Sequence, residues 1–247
     1  MSQPAYQKIR EFYNSSVTDS RSLFDFNLYH SSVAQKLWAV EYYRKSIQGL
    51  DINQFKVFPS STATQSTQSA ATAAQEPPLD THGYCLYMNL FLDGFFMNAM
   101  SVMDTLGHEL YTLFTAPRVP RNIYISTANR MLLNNHNESE TSRFLNTQIS
   151  QRWFTEFEPF RHCTTHESLI RYDDIRFSYD QIENKYKLTE DIKLPDNPQT
   201  RPFTFTRHRV AISYCNSMAK KLNGLVNGVY GKILRDFNRN GNIFPIS

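Results

Sequence analysis

Two side chains in one short stretch have the chemistry to cut a phosphodiester without a cofactor. They are Arg161 and His166, five positions apart in Glu-Pro-Phe-Arg-His-Cys-Thr-Thr-His-Glu-Ser-Leu-Ile, residues 158–170. An arginine keeps its charge and grips phosphate through a planar fork of donors. A histidine titrates near neutrality and can move protons in either direction. Elsewhere, Asp104 and His108 stand one helical turn apart, so a carboxylate could orient an imidazole there, or the two could form an ordinary solvated flank. His162 and His166 also have the i, i+4 spacing of helical zinc ligands, which would need a third ligand such as Asp104 or His108.

The elements that must hold these residues read as helices. Thr18 or Asp19 can cap a first long one. Leu23, Phe26, His30, Val33, Leu37, Val40, Arg44 and Ile47 follow at steps of three and four, one apolar stripe broken by a histidine and an arginine. His30 reads as a hydrogen-bonded core histidine, and Arg44 as a packed stem with its head in water. A short polar helix is expected before this one, over the first dozen residues. A second long helix runs from Thr81 to Phe114, its seam made by Leu92, Phe96, Ala99, Met103, Leu106, Leu110 and Leu113. Beside the seam lies a polar line of Asn89, Asp93, Ser101, Asp104 and His108. Its functional version would face Arg161 and His166 across the bundle.

A shorter helix is expected over Arg121–Leu133, and then a third bundle helix with Asn137 and Glu140 at capping-box spacing. Leu145, Ile149, Trp153, Phe157 and Phe160 form its apolar face, with Pro159 marking a kink or a fresh turn just before Arg161. Alternation through Ile175, Phe177, Tyr179, Tyr186 and Leu188 predicts a small antiparallel hairpin around Gln181–Asn184. A proline-rich return leads to a last long helix capped by Thr206. Its Gly224, Gly228 and Gly231 form a bare strip that suggests close approach of another helix. The organisation expected is one domain over residues 1–247. Residues 59–78, a Ser/Thr/Ala/Gln-rich run, form a flexible insertion, and residues 171–203 form the hairpin with its proline-rich connection.

Arg161, the polar His162 and His166 resemble the Arg–polar–x3–His signature of the HEPN superfamily. The fold class that follows is all-α, a HEPN-like four-helix bundle with a small β-hairpin before the last long helix. The resemblance implies a metal-independent endoribonuclease without cofactors. In it His166 serves as general base or acid, Arg161 stabilises charge on the phosphoryl oxygens, and His162 positions substrate or carries the second proton. It further implies an RNA substrate, a homodimer whose paired motifs share a cleft, and a setting of bacterial defence or toxin–antitoxin function with a neutralising protein partner. Geometry bears on the pairing. Five helical residues rotate by about 140°, so Arg161 and His166 do not share one face of a straight helix. The long hairpin after the motif and the insertion after the first helix depart from the pattern and mark a divergent branch. The competing reading is a catalytically idle bundle of the same type, used for dimerisation or ligand binding.

Composition constrains the setting. The chain has 247 residues, 40% hydrophobic and 14% aromatic, with a formal net charge of +3, enough for a large core and neutral enough that any phosphate-binding patch must be local. Cys85, Cys163 and Cys215 form no Cys-x-x-Cys pair, which fits free thiols in a reducing cytoplasm. The start of the chain lacks signal-peptide features, and Asn89, Asp93 and Asn98 interrupt the most apolar stretch, which argues for a buried helix rather than a membrane span.

Overall fold

A computed structural model of the chain describes residues 3–57, 76–115, 123–163 and 172–240. Among them are seven helices: α1 (Gln3–Ser16), α2 (Ser20–Gly49), α3 (Thr81–Thr115), α4 (Ile125–Asn135), α5 (Glu140–Ile149), α6 (Arg152–His162) and α7 (Ala211–Asn240). Four short strands lie between the last two, β1 (Phe177–Asp180), β2 (Lys185–Leu188), β3 (Lys193–Leu194) and β4 (Arg209–Val210). The protein is predominantly helical with a small hairpin.

Asp19 starts α2 by accepting a 2.7 Å bond from the Ser22 N–H, satisfying one of the orphan donors of the first turn. The expected stripe then goes inward: Phe26, His30, Val33, Leu37, Val40 and Ile47 are buried. Arg44 keeps a partly exposed head with its stem packed, and the head also makes contacts that spacing did not announce. Its guanidinium bonds Glu41 Oε2 at 2.7 Å and Asn216 Oδ1 on α7 at 2.7 Å, so it ties two helices together. The whole predicted seam of α3, from Leu92 to Leu113, is buried. α2 and α3 pack along their length, running antiparallel, with Tyr43 against Gly94 at one end and His30 against Glu109 at the other. On another side of α3, a Cβ at Gly107 would come within 2.9 Å of the Ile125 backbone, so the missing side chain is what lets α4 approach. α1 is more than a polar lead-in, because Ile9 and Tyr13 are buried in the common core.

The third bundle helix is two helices, broken at Ser150 and Gln151. Ser139, rather than Asn137, caps α5 by accepting from the Ser142 N–H at 3.0 Å. Two further N–H groups, of Glu140 and Thr141, donate to the buried Asp236 of α7 at 2.8 and 2.9 Å. A carboxylate at a helix N-terminus meets both the free donors and the dipole, so Asp236 fastens α5 to α7 from a distance no local spacing announces. Pro159 sits inside α6 without ending it. Of the glycine strip, only Gly228 meets a neighbour, the Phe144 ring of α5; Gly224 and Gly231 have open space around them.

β1 and β2 pair as expected, Phe177 opposite Leu188 and Asp180 opposite Lys185. A second ribbon, β3 with β4, was not legible beforehand. It makes the intervening stretch an excursion organised by Asp196, which accepts from the Thr204 and Thr206 hydroxyls at 2.7 Å each and from the Arg207 N–H at 2.9 Å. Thr206 is therefore occupied by Asp196, and α7 starts later, at Ala211. Most of the expected insertion over residues 59–78, namely residues 59–75, lies outside the described residues, but its far end is tied down. The Val57 N–H bonds the Pro78 carbonyl at 2.8 Å, Lys56 bridges Leu79, and the Tyr186 hydroxyl donates to the Pro77 carbonyl.

Candidate functional site

Arg161 and His162 are the last two residues of α6. Their side chains, and all of His166, lie outside the described residues. What is described is the frame that carries them. Cys163 caps α6, its N–H shared between the Phe160 and Pro159 carbonyls. Phe160 is fully buried, stacked on Phe96 of α3 with ring centroids 4.7 Å apart and planes 11° apart. Phe157, one turn earlier, stacks on the same ring at 5.6 Å. Two aromatic contacts on successive turns, each contributing about 0.5–1.5 kcal/mol beyond its burial, fix the end of α6 against the middle of α3.

A residue that the sequence reading missed completes this frame. Arg209, 9% exposed, donates to the Pro195 and Asp196 carbonyls at 2.9 and 3.1 Å. Its guanidinium also lies 5.3 Å from the Phe160 ring centroid and 5.0 Å from that of Tyr214, within cation–π range. Arg207 reaches Glu156 of α6 at 3.4 Å, where Arg152 already bonds the same oxygen at 2.8 Å. Between the two arginines, His208 has φ of 46°, the left-handed conformation that turns the chain back. Burial opposes ionisation of Asp196, but its hydrogen bonds from Thr204, Thr206 and Arg207 overcome this and hold its carboxyl well below the usual range. The Arg207–Arg209 turn is thereby set against α6 immediately before Arg161. Its only sequence signal was an Arg-His-Arg run ahead of a helix. A hollow of about 530 Å³ beside His208 is lined by Glu190 and Asp191 as well as Lys193, so it carries both signs of charge.

Asp104 and His108 lie elsewhere on α3. Phe160 contacts α3 at Phe96, from which Asp104 and His108 are about 12 and 18 Å further along the axis at the usual helical rise. The His108 ring stacks on Tyr29 of α2, centroids 4.9 Å apart, and its Nδ1 is buried without a hydrogen-bond partner. Nearby Lys36 donates to Thr105 Oγ1 at 2.5 Å. Burial lowers the Lys36 pKa, with Asp104 opposing, and burial followed by the Lys36 charge lowers that of His108. Stacking on Tyr29 is thus the described contact that holds the His108 ring.

His30 bears out its reading as a hydrogen-bonded core residue. Its Nδ1 faces Glu109 Oε1 at 2.6 Å, and the Tyr230 hydroxyl donates to Glu109 Oε2 at 2.8 Å. Tyr6 stacks on the imidazole at 3.7 Å. With His30 and Glu109 out of contact with water, the cluster joins α1, α2, α3 and α7 rather than meeting a ligand.

Compared with known proteins, the chain matches no family model, no curated protein and no solved structure. Among the described residues, no three His, Cys, Asp or Glu side chains converge to hold a metal ion, and no helix is long and apolar enough to cross a membrane.

Proposed function

We propose that the chain is a metal-independent endoribonuclease of HEPN type, with Arg161, His166 and His162 as its working groups. The observation that carries the reading is the position of Arg161 in the last turn of α6, a turn fixed against α3 by the Phe160–Phe96 stack. Arg207 and Arg209, far from the motif in sequence, pack against Glu156 and Phe160, the latter next to Arg161. RNA is held chiefly through its phosphates; of these two arginines, Arg207 is the one exposed enough to meet a phosphate, while Arg209 is buried and props Phe160.

In the reaction, one histidine accepts the proton of a ribose 2′-hydroxyl as its oxygen bonds to the adjacent phosphorus. The P–O5′ bond breaks and the leaving oxygen takes a proton from the second histidine. Arg161 meets the charge that builds on the non-bridging oxygens. The substrate supplies its own nucleophile, so no metal-bound water is needed. The resemblance would place such an enzyme in the cytoplasm, with a neutralising protein to restrain it. Incubation of purified protein with mixed RNA in EDTA should yield 2′,3′-cyclic phosphate and 5′-hydroxyl ends. Products with 5′-phosphate ends, or activity only with added metal, would overturn the mechanism.

The second reading, a helical module that binds partners without catalysis, is favoured by the large apolar side chains left in water on α2, among them Phe24 and Trp38 at 68% and 72% exposure.

A further inference from the structure

The outward line of α2 has the wrong composition for a solvated surface. Phe24, Leu28, Ser31, Gln35, Trp38 and Tyr42 follow one another at steps of four and three, so they share an arc of about 80° opposite the buried stripe. Phe24, Leu28, Trp38 and Tyr42 are 68%, 47%, 72% and 51% exposed. That alternation is the a/d seam of a coiled coil, and it faces away from the core that α2 otherwise packs against.

The seam is also its own complement. Place a second α2 antiparallel across a two-fold axis at the level of Val33, and Phe24 meets Tyr42, Leu28 meets Trp38, and Ser31 meets Gln35. Every apolar side chain lands on an apolar one, and the two polar positions land on each other at the centre. Ser31 Oγ already donates to the Asn27 carbonyl at 2.8 Å, which leaves its oxygen free to accept from a glutamine amide. Ser32 and Ala34, small residues flanking the axis, let the helices approach. Sliding the antiparallel pair by one heptad would put Gln35 against Phe24 or Trp38, and a parallel in-register pair would set each residue against its own copy with the helix dipoles aligned rather than opposed. The next residues along the line, Arg21 and Lys45, would meet as like charges and end the contact there.

We infer that this seam is a homodimer interface, in which α2 of a second copy of the chain docks antiparallel in that register. The four large side chains offer about 500 Å² on each protomer, judged from their exposure and the usual area of such residues. With flanking residues this reaches the lower end of specific interfaces, so the dimer should dissociate in the micromolar range and tighten as salt screens its end charges. The pairing differs from the motif-centred one that the HEPN resemblance implies. Phe96, which receives α6, and Thr105, which faces α2 through Lys36, lie about 180° apart around α3, so a two-fold at α2 leaves the two α6 ends apart. The inference stands independently of RNA cleavage.

Sedimentation of the full chain over a range of concentrations, with complementary substitutions, tests both the surface and the register. Leu28→Glu alone and Trp38→Lys alone each put a charge into two apolar layers and should weaken the dimer about a hundredfold or more. Both sites are exposed, so circular dichroism should stay unchanged. In an equimolar mixture of the two variants, the heterodimer has one Glu–Lys layer and one native Leu–Trp layer, and association should recover. A wild-type chain that stays monomeric, single variants that still dimerise, or a mixture that fails to recover would each overturn the inference. So would a monomer that instead binds anionic phospholipid vesicles through this face.

Discussion

His30 Nδ1 lies 2.6 Å from Glu109 Oε1, while His30 Nε2 faces the Tyr6 carbonyl at 3.1 Å. Both ring nitrogens thus face an oxygen partner, and with the Tyr230 hydroxyl donating to Glu109 Oε2 the imidazole and carboxylate are hydrogen-bonded at a site that water does not reach.

Removing one side of this pair strands the other. Glu109→Ala leaves His30 and the Tyr230 hydroxyl unsatisfied and should cost about 3–5 kcal/mol, or about 10 °C in Tm for a chain of this size. Glu109→Gln should cost far less, since its amide can donate to His30 while its carbonyl accepts from Tyr230. Thermal unfolding of the two variants compares them directly, and equal losses would show that the network is not what holds the four helices.

His108 provides a pH test. Its folded pKa is lowered from 6.5, first by burial and then by Lys36, so as pH falls the unfolded chain takes up this proton before the folded one does. The stability in question is present above the unfolded value and is lost as pH falls through the folded one. His108→Phe keeps a ring to stack on Tyr29 and removes the titration. Urea midpoints between about pH 5 and 8 should therefore slope less in the variant than in the parent.

The glycines of α7 should separate by their surroundings. Gly224→Ala and Gly231→Ala add a methyl to open space and should stabilise by up to about 1 kcal/mol through helix propensity. Gly228→Ala drives a Cβ to 2.2 Å from the Phe144 ring and should destabilise unless that ring moves. Chemical denaturation of the three single variants reads the sign of each.

The ends of the Ser/Thr-rich run are held together by Val57 and Pro78. Replacing residues 60–75 with a four-residue turn should leave Tm unchanged or raise stability by about 1 kcal/mol, through the smaller loop-closure entropy. A large loss would mean that this segment packs on the core.

Periodicity was enough to read α2, α3 and the hairpin, because each answers to a local rule: a stripe at steps of three and four, or alternation about a turn. Long-range pairings escaped it. Asp236 capping α5, Glu109 meeting His30, and Arg209 lying over Phe160 depend on where helices cross, which no spacing within one segment encodes. The single-helix reading of residues 137–160 failed for a related reason. Leu145 to Phe160 keeps its apolar phase across Ser150 and Gln151, so the break leaves little trace in the stripe. Of the candidate site, the position of Arg161 at a helix end was legible, whereas the basic turn beside it required β3 and β4 to pair.

The most direct test of the central proposal is RNA cleavage by Arg161→Ala and His166→Ala, measured beside the parent protein in EDTA. Each variant should lose cleavage by about a hundredfold or more, the scale of a missing proton carrier or charge stabiliser, while circular dichroism and Tm stay unchanged. Cleavage by both variants at the parental rate, from preparations free of contaminating nuclease, would contradict the assignment.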